Sequence, residues 1–148
     1  LGTSTGYSAY YVAKALKENE KRGIKGRIDC YDLWEKCGGC KMKIAEENLL
    51  EYNDVINLIQ RDAFEVYKNY DFVDILHIDL DNDRNILEKI VSKWIGKANY
   101  IIFEGGSKER DNYPRVEKHA SINEWLKKDK YDYTTLTPFP SLTVIGPI

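Results

Sequence analysis

The sequence has 148 residues, 43% hydrophobic and 31% charged, which suits one domain with a real apolar core and excludes a disordered chain. Its longest apolar runs, such as Tyr100-Ile101-Ile102-Phe103, are strand-length, far short of the roughly 20 residues of a membrane helix, and no signal peptide is visible. A net charge of −2 with dispersed lysines argues against a partner gripped through its phosphates, so neither nucleic acid nor membrane is expected.

The chain opens directly in Gly2-Thr3-Ser4-Thr5-Gly6-Tyr7-Ser8, with no methionine at position 1. A glycine turn of this kind follows a buried strand. The expectation is therefore that the sequence is a truncated or partly ordered form of something longer, with its first strand upstream of Leu1. Glycine lets backbone approach a ligand closely. The hydroxyls of Thr3, Ser4, Thr5 and Ser8 can donate to a carboxylate, and a helix N-terminus adds partial positive charge. An anionic ligand end fits this turn; so does a plain strand–helix turn capped by Ser8. The spacing is G-x-x-x-G, not the dinucleotide G-x-G-x-x-G, and no P-loop Gly-Lys-Ser/Thr ending follows.

Ser8 to Asn19 reads as a helix, with Ala9, Val12, Ala13 and Leu16 at helical spacing. Arg27 to Tyr31 is a short strand, and Asp32 sits just past it. An acid at this place accepts hydrogen bonds from ribose hydroxyls in nucleoside-binding α/β sheets. Asp29 competes but would point to a sheet face. Trp34 can flank a sugar or a base. Cys37-Gly38-Gly39-Cys40 has C-x-x-C spacing, yet no second pair exists for a zinc site, so a flexible glycine connection is expected. With Cys30 it makes a low, odd cysteine count, consistent with reduced thiols in a cytoplasmic protein.

Lys41 to Asn53 is the second helix and Val55 to Ile59 the next strand. Gln60-Arg61-Asp62-Ala63 follows, where an acid can accept from an adenine amino group or cap the helix Ala63–Tyr67. Phe72 to Ile78 is a strand ending in Asp79-Leu80-Asp81-Asn82-Asp83. Asp79, Asp81 and Asp83 offer oxygens to a hard divalent cation, or cap the helix carrying Ile86, Leu87, Ile90, Val91 and Trp94. An EF-hand is excluded, because its glycine falls on Arg84 and its bidentate acid on Ile90. Tyr100 to Phe103 is apolar throughout, as in a parallel sheet covered on both faces. Val116 to Lys128 is the fourth helix. Tyr131 to Leu136 and Leu142 to Ile145 close the chain around the turn 137–141. Their connection is too short for a crossover, so they run antiparallel. The expected fold is a single α/β domain over 1–148. It is a Rossmann-like open sheet with helices on both faces, mostly parallel with an antiparallel C-terminal strand.

In order and spacing these motifs resemble class I S-adenosylmethionine methyltransferases, closest to catechol-type and sugar- or natural-product-modifying O-methyltransferases. The resemblance implies that Gly2, Thr3, Ser4, Thr5, Gly6 and Ser8 hold the cofactor with Asp32 and Trp34, and that Asp62 and Ala63 face its adenine. By position, Asp79 and Glu104 match metal ligands at the ends of the fourth and fifth family strands. The third ligand, an amide, is replaced by Gly105, so Asp81 is the substitute in a magnesium site. Amino-group methylation is disfavoured because Asp79-Leu80-Asp81 stands where Asn/Asp-Pro-Pro-Tyr is common. The implied activity is methyl transfer to a hydroxyl of a small molecule, with Asp79 and Glu104 as catalytic candidates. His77, the histidine near the acid cluster, is a further candidate base or, since it alternates with Leu76 and Ile78 within a strand, a buried structural histidine. His119 has a weaker claim. Two other readings stay open: a nicotinamide-dependent oxidoreductase and a non-catalytic module of the same fold. Homo-oligomerisation is also left open.

Overall fold

The first helix, α1 (Tyr7–Glu20), starts where Gly6 adopts φ +88°, a left-handed conformation that glycine tolerates. A Cβ at Gly6 would lie 2.6 Å from Leu49 Cδ1, so the position needs glycine for space as well. Ser8 is not the cap: it is the second residue of the helix, and no side chain caps this terminus. Ala9 and Ala13 are buried as expected, but Val12 is 41% exposed; Tyr10 and Leu16 supply the rest of the inner face instead.

The computed structural model describes residues 1–81, 83–114, 121–129, 131–138 and 140–148, and for Cys37 the backbone only. The chain groups into two compact units, Leu1–Glu65 and Val66–Ile148. In the first, β1 (Ile28–Asp32), α2 (Met42–Leu49) and β2 (Ile56–Gln60) follow α1. The strands pair in parallel, Ile28 opposite Ile56 through Asp32 opposite Gln60. Ala9, Ala13, Cys30, Leu49, Tyr52, Val55 and Ile56 form its core. The second helix is shorter than its pattern suggests, tightening after Leu49 into a 3₁₀ turn over Leu50–Tyr52.

The second unit contains β3 (Val73–Ile78), α3 (Arg84–Trp94), β4 (Ala98–Glu104), α4 (Lys108–Asp111), α5 (Ile122–Lys128), β5 (Tyr133–Leu136) and β6 (Leu142–Ile145). Its sheet has the order β3-β4-β6-β5. β3 and β4 are parallel, while β6 runs antiparallel to β4 and also to β5, the latter as the short hairpin connection requires. No residue of β4 is exposed, in keeping with its apolar run. α3 buries Leu87, Ile90, Val91 and Trp94, a stripe at helical spacing.

The result is an α/β Rossmann-like fold whose described strands form two hydrogen-bonded sheets, two-stranded and four-stranded. The expected fourth helix is α5 from Ile122; residues 116–120, with His119, lie outside the described residues, as does Asn82 of the acid run. Among the described residues, no helix is long and apolar enough to cross a membrane.

Candidate functional site

The first unit builds its site from Asp32. Placed as the last residue of β1, its carboxylate accepts the Ser4 N–H at 2.7 Å and the Trp34 N–H at 2.9 Å. The glycine turn is fixed to the same strand by the Gly2 N–H, which donates to the Tyr31 carbonyl at 2.8 Å. Thr3 Oγ1 donates to that carbonyl at 3.2 Å. The Thr3 proton is therefore used inside the turn, not offered to a ligand carboxylate. Ser4, Thr5 and Ser8 remain exposed.

Trp34 is placed differently from its expected role. It is 1% exposed, and its indole N–H donates to the Ser4 carbonyl at 2.8 Å. A ring buried this far has no face to offer a sugar or base; it braces the turn from beneath. Both Ser4 (φ +50°) and Trp34 (φ +45°) hold left-handed backbone, which is uncommon for a non-glycine residue and is a marker of an over-determined loop. Asn48 adds a bond to the Thr5 carbonyl at 2.9 Å, and Gln60 one to the Leu33 carbonyl at 3.0 Å.

Asp29 does not compete with Asp32. It accepts from Asn57 Nδ2 at 2.7 Å and lies 3.6 Å from Arg27. Asp62 is exposed and accepts the Phe64 N–H at 2.9 Å, which makes it the organiser of a turn rather than a cap of a helix over 63–67. Ala63 beside it is buried.

The Cys37–Cys40 segment is an ordered helix end, not a slack connection. Gly38 at φ +77° donates to Glu35 O, and the Gly39 N–H bonds Trp34 O at 3.0 Å. Cys40 Sγ lies 3.8 Å from Ser4 Oγ.

In the second unit, Asp79 follows Ile78 and Glu104 follows Phe103, and those two residues are register partners on parallel β3 and β4. The two carboxylates thus leave neighbouring strands at one level, at the carboxyl ends where α/β sheets bind ligands. Asp79 is exposed and Glu104 half-buried. His77 is half-buried inside β3, and burial pushes its pKa below the usual value, partly opposed by Asp79.

The magnesium site is not assembled. Among the described residues no three His, Cys, Asp or Glu side chains group as a metal site, so Asp79, Asp81 and Glu104 do not form one. The physical reason lies in the third position. The chain offers Gly105 beside Glu104, and Asp83 accepts the Asn85 N–H at 2.7 Å as the cap of α3.

Residues 1–99 match a family model described as a methyltransferase domain. The chain belongs to this methyltransferase family. That membership sets aside the oxidoreductase reading. No curated protein matches the sequence significantly. Solved structures share the fold over almost the whole domain. A Staphylococcus aureus protein assigned as a caffeoyl-CoA O-methyltransferase aligns with TM-score 0.66 and 18% identity, covering 97% of this chain and 72% of its own. Aeropyrum pernix fibrillarin with bound S-adenosyl-L-methionine aligns with TM-score 0.67 and 14% identity, covering 98% and 64%. A Podospora anserina methyltransferase bound to S-adenosylhomocysteine aligns with TM-score 0.68 and 16% identity, covering 98% and 68%.

The residues of this methyltransferase domain fit an S-adenosyl cofactor. An ionised carboxylate has about four lone-pair directions. Asp32 uses two on Ser4 and Trp34, which leaves capacity for both hydroxyls of a ribose. The Ser4, Thr5 and Ser8 hydroxyls are exposed, and a hydroxyl can donate to a carboxylate.

Proposed function

We propose that the domain transfers the methyl group of S-adenosylmethionine to a hydroxyl of a small molecule, such as a sugar or natural-product intermediate. The observation that carries this reading is the level pair Asp79 and Glu104 at the ends of β3 and β4, with no Pro-Pro-Tyr segment to grip an amino group. The cofactor supplies an electrophilic methyl on a sulfonium sulfur. The protein's own work is to hold the acceptor hydroxyl in line and to remove its proton. Glu104, half-buried and next to Gly105, is the first candidate base. Asp79 is its neighbour and orients the acceptor. His77 is the remaining candidate, its pKa lowered by burial, but it is set within the strand.

The experiment is transfer of isotopically labelled methyl to a panel of hydroxylated acceptors and their amino analogues. Label on oxygen supports the proposal, with the Glu104→Gln variant losing roughly 10²–10⁴-fold in kcat at unchanged S-adenosylhomocysteine affinity. Label found only on nitrogen would sink it. Cofactor binding with no transfer to any acceptor would favour the non-catalytic module.

A further inference from the structure

Three carbonyls of the glycine turn are taken by donors of the protein. Thr3 O accepts the Gly6 N–H at 2.9 Å, Ser4 O the Trp34 indole N–H at 2.8 Å, and Thr5 O the Asn48 amide at 2.9 Å. Three of the turn's own N–H groups are used inside the protein as well. Gly2 donates to Tyr31 O, Ser4 to the Asp32 carboxylate and Gly6 to Thr3 O. The Thr5 N–H takes no part in these bonds.

Its direction follows from the Trp34 bond. A peptide unit is planar and trans, so the Thr5 N–H lies antiparallel to the Ser4 C=O in one plane. That carbonyl points at an indole only 1% exposed, whereas Ser4 and Thr5 are themselves exposed. The Thr5 N–H therefore points away from the buried ring, to the open side of the turn. The hold on this peptide is firm. Ser4 (φ +50°) and Trp34 (φ +45°) both keep left-handed backbone, which persists in a non-glycine residue only where its surroundings over-determine it. Asp32 accepts the N–H of each, and the Gly39 N–H donates to Trp34 O at 3.0 Å. Without the indole N–H, the peptide between Ser4 and Thr5 is free to turn over and carry the Thr5 N–H with it.

We propose that Trp34 is a positioning residue of the cofactor site: through the Ser4 carbonyl, its indole N–H aims the Thr5 N–H at the carboxylate of the cofactor's amino-acid tail. The proposal rests on S-adenosylmethionine as the cofactor. That carboxylate is the cofactor's one anionic group, and a backbone N–H bonded to it makes a charge-assisted bond. Ser4 then has the ribose acid Asp32 on its N–H side and the carboxylate donor on its carbonyl side.

The test compares two probes on the full chain. One is S-adenosylhomocysteine. The other is methylthioadenosine, which keeps the nucleoside and its sulfur but lacks the amino-acid tail. In isothermal titration, Trp34→Phe keeps an aromatic ring and removes the N–H. It should weaken S-adenosylhomocysteine roughly tenfold or more and leave the methylthioadenosine Kd unchanged. An equal loss for both probes, or a loss for neither, overturns the proposal. A second measurement needs no variant. Hydrogen bonds in a chain polarise one another, so in the wild-type protein S-adenosylhomocysteine should move the Thr5 amide and Trp34 indole proton resonances downfield together, and methylthioadenosine should move neither. Either proton staying put with S-adenosylhomocysteine, or both moving alike with the two probes, overturns the proposal whether or not Trp34→Phe folds. If the wild-type chain binds neither probe, the cofactor reading itself falls and takes the proposal with it.

Discussion

Asp32 has one duty the structure shows and a second, ribose binding, that we propose, and substitution separates them. Its carboxylate ties Ser4 and Trp34 together and keeps capacity for a ribose. Asp32→Asn removes the charge and turns an amide N–H₂ toward one of those donors or toward the ribose. Hydrogen bonds to a charged group contribute about 1.5–3 kcal/mol. The expected outcome in isothermal titration is an S-adenosylhomocysteine Kd roughly ten- to a hundredfold weaker. An unchanged Kd would remove Asp32 from the cofactor site. His77 gives a second prediction through pH. Burial lowers its folded pKa below the ordinary value of about 6.5, so the unfolded chain binds its proton first as pH falls. Its contribution to stability is complete above pH about 6.5 and is lost as pH drops toward the folded pKa. Tm measured between pH 7.5 and 5.5 should fall less steeply in His77→Gln than in the wild type. Parallel slopes would show that His77 titrates alike in both states.

The last acid of the run after β3 is placed by the helix it precedes. Asp83 is the N-cap of α3, accepting the Asn85 N–H at 2.7 Å. Asp83→Ala should cost about 1 kcal/mol of stability, read as a lower urea midpoint at constant m, with S-adenosylhomocysteine affinity unmoved. A loss of magnesium-dependent activity with no loss of stability would reverse this assignment. The same element shows why sequence pattern reads some features and not others. Caps and apolar stripes are local, so α3 and the apolar run of β4 were legible from their own residues. Pairing partners in space are not local. Nothing in the sequence marks Trp34 as the buried brace of Ser4, because an indole beside a strand end suits stacking and burial equally. The burial of Arg110 is hidden in the sequence for a similar reason. In Gly105-Gly106-Ser107-Lys108-Glu109-Arg110 it is one charge among three, and only the fold shows it buried while Lys108 and Glu109 are exposed.

On the scale of the whole molecule, the order of elements was legible further than the sheet. The antiparallel finish followed from the length of the 137–141 connection, a constraint of chain geometry that no other residue can relax. The grouping of strands into β1-β2 and β3-β4-β6-β5 depends instead on which edges find partners, and apolar patterns do not name partners. Ligand linkage tests the cofactor assignment across the entire chain. A ligand that binds only the folded state stabilises it by RT ln(1 + [L]/Kd), about 2.7 kcal/mol at a hundredfold excess over Kd. For a chain of this size, 1 kcal/mol moves Tm by about 2–4 °C, so S-adenosylhomocysteine at that excess should raise Tm by roughly 5–11 °C. Hydrogen exchange should slow at the same time at the amides of Ser4 and Trp34, since a ribose bound to Asp32 locks the carboxylate that both amides donate to. A Tm shift without protection at those two amides would mean that the cofactor is held elsewhere, and Asp32 would revert to a purely structural acid that closes the glycine turn.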